Sequence, residues 1–240
     1  MRTCMALVCL LCACVAISRA ASSQPESIDR LANGSAPAAE VLDRFFHSGE
    51  PPLTSYSARR VLEASTMGGR MSASLEAWTY LDPEGRFRFA VIRESGSELI
   101  RQHVLLGALN AEQRSRNQRE TGQAELTPAN YDFQLDGGPE HELVRIRLLP
   151  RRQTPMLLNG TVTVKRENGD VVRIEGSLSE PPSWWTRHVY VVRTYARIAG
   201  VRVAVGMSSH ADVRVAGDSS FSMSYDYTMI NGHQIGQSPR

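Results

Sequence analysis

Beyond residue 14 the chain has no cysteine; Cys4, Cys9, Cys12 and Cys14 are its only four. A body without thiols excludes disulfide scaffolding, cysteine nucleophiles, C-x-x-C redox chemistry and thiolate metal sites. Lysine is nearly absent as well: Lys165 is the single one among 27 lysines and arginines. The arginines are scattered, so they outline no nucleic-acid or phosphate-binding surface. No apolar run after the N-terminal segment is long enough to span a bilayer. The histidines, His47, His103, His141, His188, His210 and His233, form no H-x-H or H-E-x-x-H pair and read as loop or strand-edge residues. The serines beside glycine at 206–210 and 217–220 fit strand ends and hairpin turns, not a nucleophile elbow. No Walker loop, dinucleotide fingerprint, EF-hand or deaminase signature occurs. These absences leave no catalytic residue, no metal site and no cofactor to name, and they point away from an enzyme.

What is present begins with an export signal. Arg2 precedes an apolar stretch from about residue 5 to 17, and Ser18-Arg19-Ala20 places small residues where signal peptidase cuts. Cleavage after Ala20 would remove Arg2 and Arg19 and no acid, taking the formal charge from +2 to zero. A second processing route is open, because Leu11-Cys12-Ala13-Cys14 resembles a bacterial lipobox. Acylated at Cys14, the protein would be tethered to an envelope membrane; cut after Ala20, it would be free in the periplasm. Residues 21–34 are rich in Ser, Ala, Asn and Pro without hydrophobic period and read as a flexible leader. The remainder suits one sizeable domain, assigned to residues 35–230, followed by a C-terminal tail at 231–240.

Ser35-Ala36-Pro37 has the form of a helix start, and Val41, Leu42, Phe45 and Phe46 give the helix one apolar face. Period two takes over from Leu53. Tyr56, Ala58, Arg60, Leu62 and Ala64 share one face of the next segment, and Ala73, Leu75 and Ala77 one face of the segment after it. Asp82-Pro83-Glu84-Gly85 is a turn, and Phe87, Phe89 and Val91 continue beyond it. Ser95-Gly96-Ser97-Glu98 has capping-box spacing for a helix over 99–117, with an Ile100, Val104, Ala108, Ala111 stripe and a solvated end from Glu112 onward. Seven strands are then expected at 130–135, 142–149, 156–165, 171–178, 189–198, 201–210 and 220–229. Short turns such as Asn168-Gly169-Asp170 and Ala199-Gly200 join several of them. The fold class expected is mainly β (α+β): a curved antiparallel sheet forming a half-open β-barrel, with helices against its concave face.

The order helix, three strands, helix and long meander resembles the periplasmic lipoprotein-carrier superfamily. The residues that carry the likeness are Leu53-Thr54-Ser55-Tyr56, the central Met156-Leu157-Leu158-Asn159-Gly160-Thr161-Val162-Thr163-Val164 running into Val172-Arg173-Ile174-Glu175-Gly176, and the ending Phe221-Ser222-Met223-Ser224-Tyr225-Asp226-Tyr227. The long helix and the Ser183-Trp184-Trp185 run mark the chain as a divergent member. The resemblance implies a non-enzymatic envelope protein whose half-barrel holds a lipid or the acyl chain of a lipoprotein. Alternation within the strands nominates the lining: Phe87, Phe89, Ile174, Leu178, Phe221, Met223, Tyr225 and Tyr227. Trp184 and Trp185 either pack a barrel corner, one inward and one at the rim, or form an apolar gate over the cavity. A different class stays open beside it, an envelope sensor or scaffold whose barrel is closed by its helices and whose partner is another protein.

Overall fold

The computed structural model describes residues 36–47, 51–117, 125–136, 142–184, 186–214 and 217–236. The export signal, the leader, Cys14, His141 and Trp185 lie outside them. Helix α1 spans Ala36–His47. Strands β1 (Tyr56–Thr66), β2 (Met71–Leu81) and β3 (Phe87–Gly96) follow. A helical segment comes next: one turn, α2 (Glu98–Ile100), a π-helical stretch at Arg101–Leu105, and α3 (Leu106–Asn117). The chain then meanders through β4 (Tyr131–Asp136), β5 (Leu143–Pro150), β6 (Leu158–Lys165), β7 (Val171–Leu178), β8 (Thr186–Ile198), β9 (Val201–Val213) and β10 (Gly217–Ile230). A two-residue β11, His233–Gln234, pairs back on β10 inside the stretch expected as tail.

All strands form one antiparallel sheet in the order β3-β2-β1-β10-β9-β8-β7-β6-β5-β4. β3 and β4 end the path and do not pair with each other, so the barrel is half open, as the alternating pattern implies. The topology explains where the helices sit. After β3 the chain must reach the opposite edge before it can meander back to β1, and the helical segment that follows β3 lies against β1–β3, its end at Asn117 still bonded to Phe87. Turn chemistry sets the hairpins: between β8 and β9, Ala199 (φ 49°) and Gly200 (φ 78°) both take the left-handed conformation of a type I′ turn.

β1, β2, β5 and β9 alternate an inward, buried row with a wetter one, as does β10 about Phe221–Met223, whereas β3 is exposed beyond Phe89. On β1, Tyr56, Ala58, Arg60 and Leu62 are buried; on β10, Phe221, Met223, Tyr227 and Ile230 are. This inner face is covered by two helical pieces. α1 lays Val41, Leu42 and Phe45 on the β4 side, where the Phe45 and Phe46 rings sit 5.9 and 4.9 Å from the Phe133 ring. The segment 98–117 covers β1–β3. The outer face is polar: Ser65 and Ser220 are bonded at 2.8 Å, and Ser74 and Ser95 at 2.9 Å.

The segment 98–117 departs from expectation in two ways, both physical. Ser95 does not cap it; the residue stays in β3 opposite Ser74, and Ser97, without a side-chain bond, precedes the first turn. A π-helical stretch at Arg101–Leu105 widens one turn, and the buried row reaches beyond the expected stripe. The buried row runs Ile100, Val104, Leu105, Ala108, Leu109, then Glu112 and Ser115. Glu112, expected at the solvated end, follows Leu105, Ala108 and Leu109 at helical spacing and is buried.

Candidate functional site

Position 60 lies midway along β1, on the concave face beneath the segment 98–117. Strand parity on β1 places Arg60 in the inward row between Ala58 and Leu62, and its side chain is 2% exposed. A guanidinium cannot stay there without partners, and α3 supplies one. Arg60 Nη1 donates to Glu112 Oε2 at 2.6 Å, and Nη2 donates to Glu112 Oε1 at 3.3 Å and to the Tyr56 hydroxyl at 2.5 Å. From the same helix, Arg116 Nε donates to Glu112 Oε1 at 3.1 Å.

Aromatic rings complete the enclosure. The guanidinium carbon stands 4.5 Å from the Tyr225 ring centre, 5.1 Å from that of Phe87 and 5.8 Å from that of Tyr56. Tyr225 stacks on Tyr227 at 6.0 Å with 9° between the planes, and Met223 Sδ lies 3.7 Å from Arg60 Nη1. Cation–π contact with desolvated rings lets the cation tolerate a site that water cannot reach. Two backbone ties reinforce the helix beside it. Gln113 Nε2 donates to the Phe87 carbonyl at 3.2 Å, and the Asn117 side-chain oxygen accepts from the Phe87 amide at 3.1 Å. At the other end of the segment Arg101 pairs with Glu94 on the edge strand.

Burial alone would raise the Glu112 carboxyl, but the Arg60 charge, then Arg116, and the hydrogen bonds from both hold it below its ordinary 4.5. Burial pushes the Tyr56 phenol up to about 12, the Arg60 charge only partly opposing it. Tyr227, whose hydroxyl donates to the Ala204 carbonyl at 2.8 Å, is raised chiefly by burial too. A carboxyl whose value is lower folded than unfolded stabilises above its unfolded value and loses that contribution as pH falls through the folded one. Wild type should therefore shed helix-to-sheet stability below about pH 4.5 more steeply than Arg60→Met/Glu112→Leu. Other carboxylates, common to both proteins, cancel in the difference. Thermal melting followed across the acid range checks this, and parallel curves would show that the pair does not titrate with folding.

Of the lining nominated from sequence, Phe87, Ile174, Phe221, Met223 and Tyr227 are buried on the inner face, and Phe89, Leu178 and Tyr225 are half-buried and pack against the core. Trp184 does not join them. It is 74% exposed in the loop that precedes β8. The residue sequence reasoning passed over is Arg60, together with its partner Glu112. Parity had already put an arginine in an apolar row, which was the available signal. Among the described residues, no three His, Asp or Glu side chains gather as a metal site would need.

No family model and no curated protein matches the sequence. Among solved structures, the chain is similar to a LolA superfamily protein from Nitrosomonas europaea at 10% identity and a TM-score of 0.40, over 83% of this chain and 94% of that one. It is also similar to a DUF1329 family protein from Desulfovibrio piger at 10% identity and a TM-score of 0.34, over 72% and 84%. Neither assigns a role to any residue here, so the site rests on its own geometry.

Proposed function

We propose that the protein is a non-enzymatic, periplasmic binding protein. It accepts the acyl chain of a lipid or lipoprotein on its concave face when the segment 98–117 lifts away. The observation that carries this reading is the Arg60–Glu112 pair. A wholly apolar interface of the same size would hold the helix at least as firmly, since a buried ion pair is often no more stabilising than well-packed hydrophobic residues. A charged tie adds something else, a link that exists in one geometry and is lost in another. Beneath it lies the apolar row that a chain needs, worth roughly 25 cal/mol for each Å² it removes from water. Among the described residues no helix is long and apolar enough to cross a membrane.

The test is saturable binding of a fluorescent fatty-acid probe to the mature chain, read together with amide hydrogen exchange. Binding is expected to speed exchange at 98–117 and to leave β1 and β10 protected. Absence of saturable binding refutes the reading.

One feature favours the alternative of a helix-closed sensor that meets a protein. Tyr80, Val91, Ile92 and Leu99 are exposed at and beside the free β3 edge. A protein partner that protects this edge while 98–117 stays closed would select it.

A further inference from the structure

We infer, resting on the carrier reading above, that the ligand is an amphiphile with an anionic oxygen head, and that Glu112 is a tethered stand-in for that head. The reason lies in what the helix takes with it. Glu112 and Arg116 both belong to α3, whereas Arg60 belongs to β1. When α3 lifts, the carboxylate leaves and the guanidinium stays, enclosed by Tyr56, Phe87 and Tyr225 on an apolar face. A neutral chain entering there would leave a desolvated cation without a counter-charge, which is the costly case. A chain that brings a carboxylate or phosphate restores the pairing.

The donor set supports this. Arg60 Nη1 and Nη2 converge on the two oxygens of one carboxylate, the planar two-point geometry in which guanidinium binds carboxylates and phosphates alike. Arg60 Nε, fully buried, has no hydrogen-bond acceptor among the described residues. The site thus holds one donor more than Glu112 fills, and an oxyanion free of the helix backbone can turn to meet it. Tyr56, which accepts from Nη2, orients the fork from below. The head sits at Arg60, and the chain extends along the inner row of β10 past Met223 and Phe221.

Three probes with one chain test this at submicellar concentration and pH 8: oleate, oleyl phosphate and oleyl alcohol. Wild type is expected to bind at least one of the two acids about tenfold or more tightly than the alcohol, the scale of a charge-assisted hydrogen-bonded pair. The stronger acid tells whether a fatty-acid carboxylate or a phosphate head is the better fit. In Arg60→Met/Glu112→Leu, and in Arg60→Gln/Glu112→Gln as a second uncharged pair, acid and alcohol should bind alike. Equal affinities in wild type overturn the anionic head and leave the carrier reading standing. No saturable binding of any of the three overturns the carrier reading itself. A preference for acid that survives in a folded uncharged pair overturns the role of Arg60.

Discussion

Glu112→Leu alone is expected to lower the free energy of unfolding by about 3–5 kcal/mol, and adding Arg60→Met is expected to restore most of that loss. The asymmetry follows from burial. Arg60 and Glu112 side chains are 2% and 6% exposed, so neither can turn to water if its partner is removed. Removing the carboxylate strands a cation among Tyr56, Phe87, Tyr225 and Met223. Removing both leaves space that methionine and leucine fill, since methionine is a flexible side chain that packs well against rings. Arg116 is 28% exposed and can reach solvent in either variant. Urea unfolding of the two single variants and the double variant closes a thermodynamic cycle with a coupling of several kcal/mol. Additive losses would mean that the helix is held by its apolar row alone, and the idea of a charged tie would fall with them.

How far this site was readable before the structure depends on which residue is considered. Strand parity alone placed Phe221, Met223 and Tyr227 inside, because period two survives any detail of twist or register. The same parity put Arg60 inside, but its meaning depended on a partner 52 positions away on α3. That partner was hidden by composition. The stretch after Ala111 is polar enough to read as solvated, yet Glu112 and Ser115 continue the face of Leu105, Ala108 and Leu109 at ordinary i+3, i+4 and i+7 spacing and are buried. Polarity, read in place of periodicity, hid a carboxylate that the helical period had already set on the buried face. Ser95 failed for another reason. Capping-box spacing is local, whereas the pairing of Ser95 with Ser74 is tertiary, and the tertiary pairing won. Trp184 lay ahead of the strand expected at 189–198, where alternation fixes no direction.

Gly176→Val should cost about 3 kcal/mol, the upper end for forced overpacking, and for a reason tied to the curvature that makes the site. Gly160 on β6 and Gly176 on β7 face each other in register, between the Leu158–Leu178 and Val162–Ile174 pairs. The two strands approach so closely there that a Cβ on Gly176 would lie 2.5 Å from the Asn159 carbonyl oxygen and 2.6 Å from the Gly160 Cα. A Cβ on Gly160 would in turn run into the Glu175 carbonyl oxygen and the Gly176 Cα. These obstacles are backbone atoms, which no rotamer change can move, so the strands themselves must part. Gly206 supplies the contrast. A Cβ there would meet the Thr194 Oγ1 at 2.8 Å, the end of a side chain that can turn aside, and the next atom is 3.9 Å away. Gly206→Ala is accordingly expected to stay within about 1 kcal/mol of wild type. Urea midpoints for the two variants decide the matter, and a Gly176→Val protein as stable as Gly206→Ala would show that the seam is slack. If the seam is tight, Gly176→Val should also weaken acyl-probe binding in whatever fraction stays folded. Parting β6 from β7 flattens the sheet and moves Ile174 and Leu178 away from the inner row of β10.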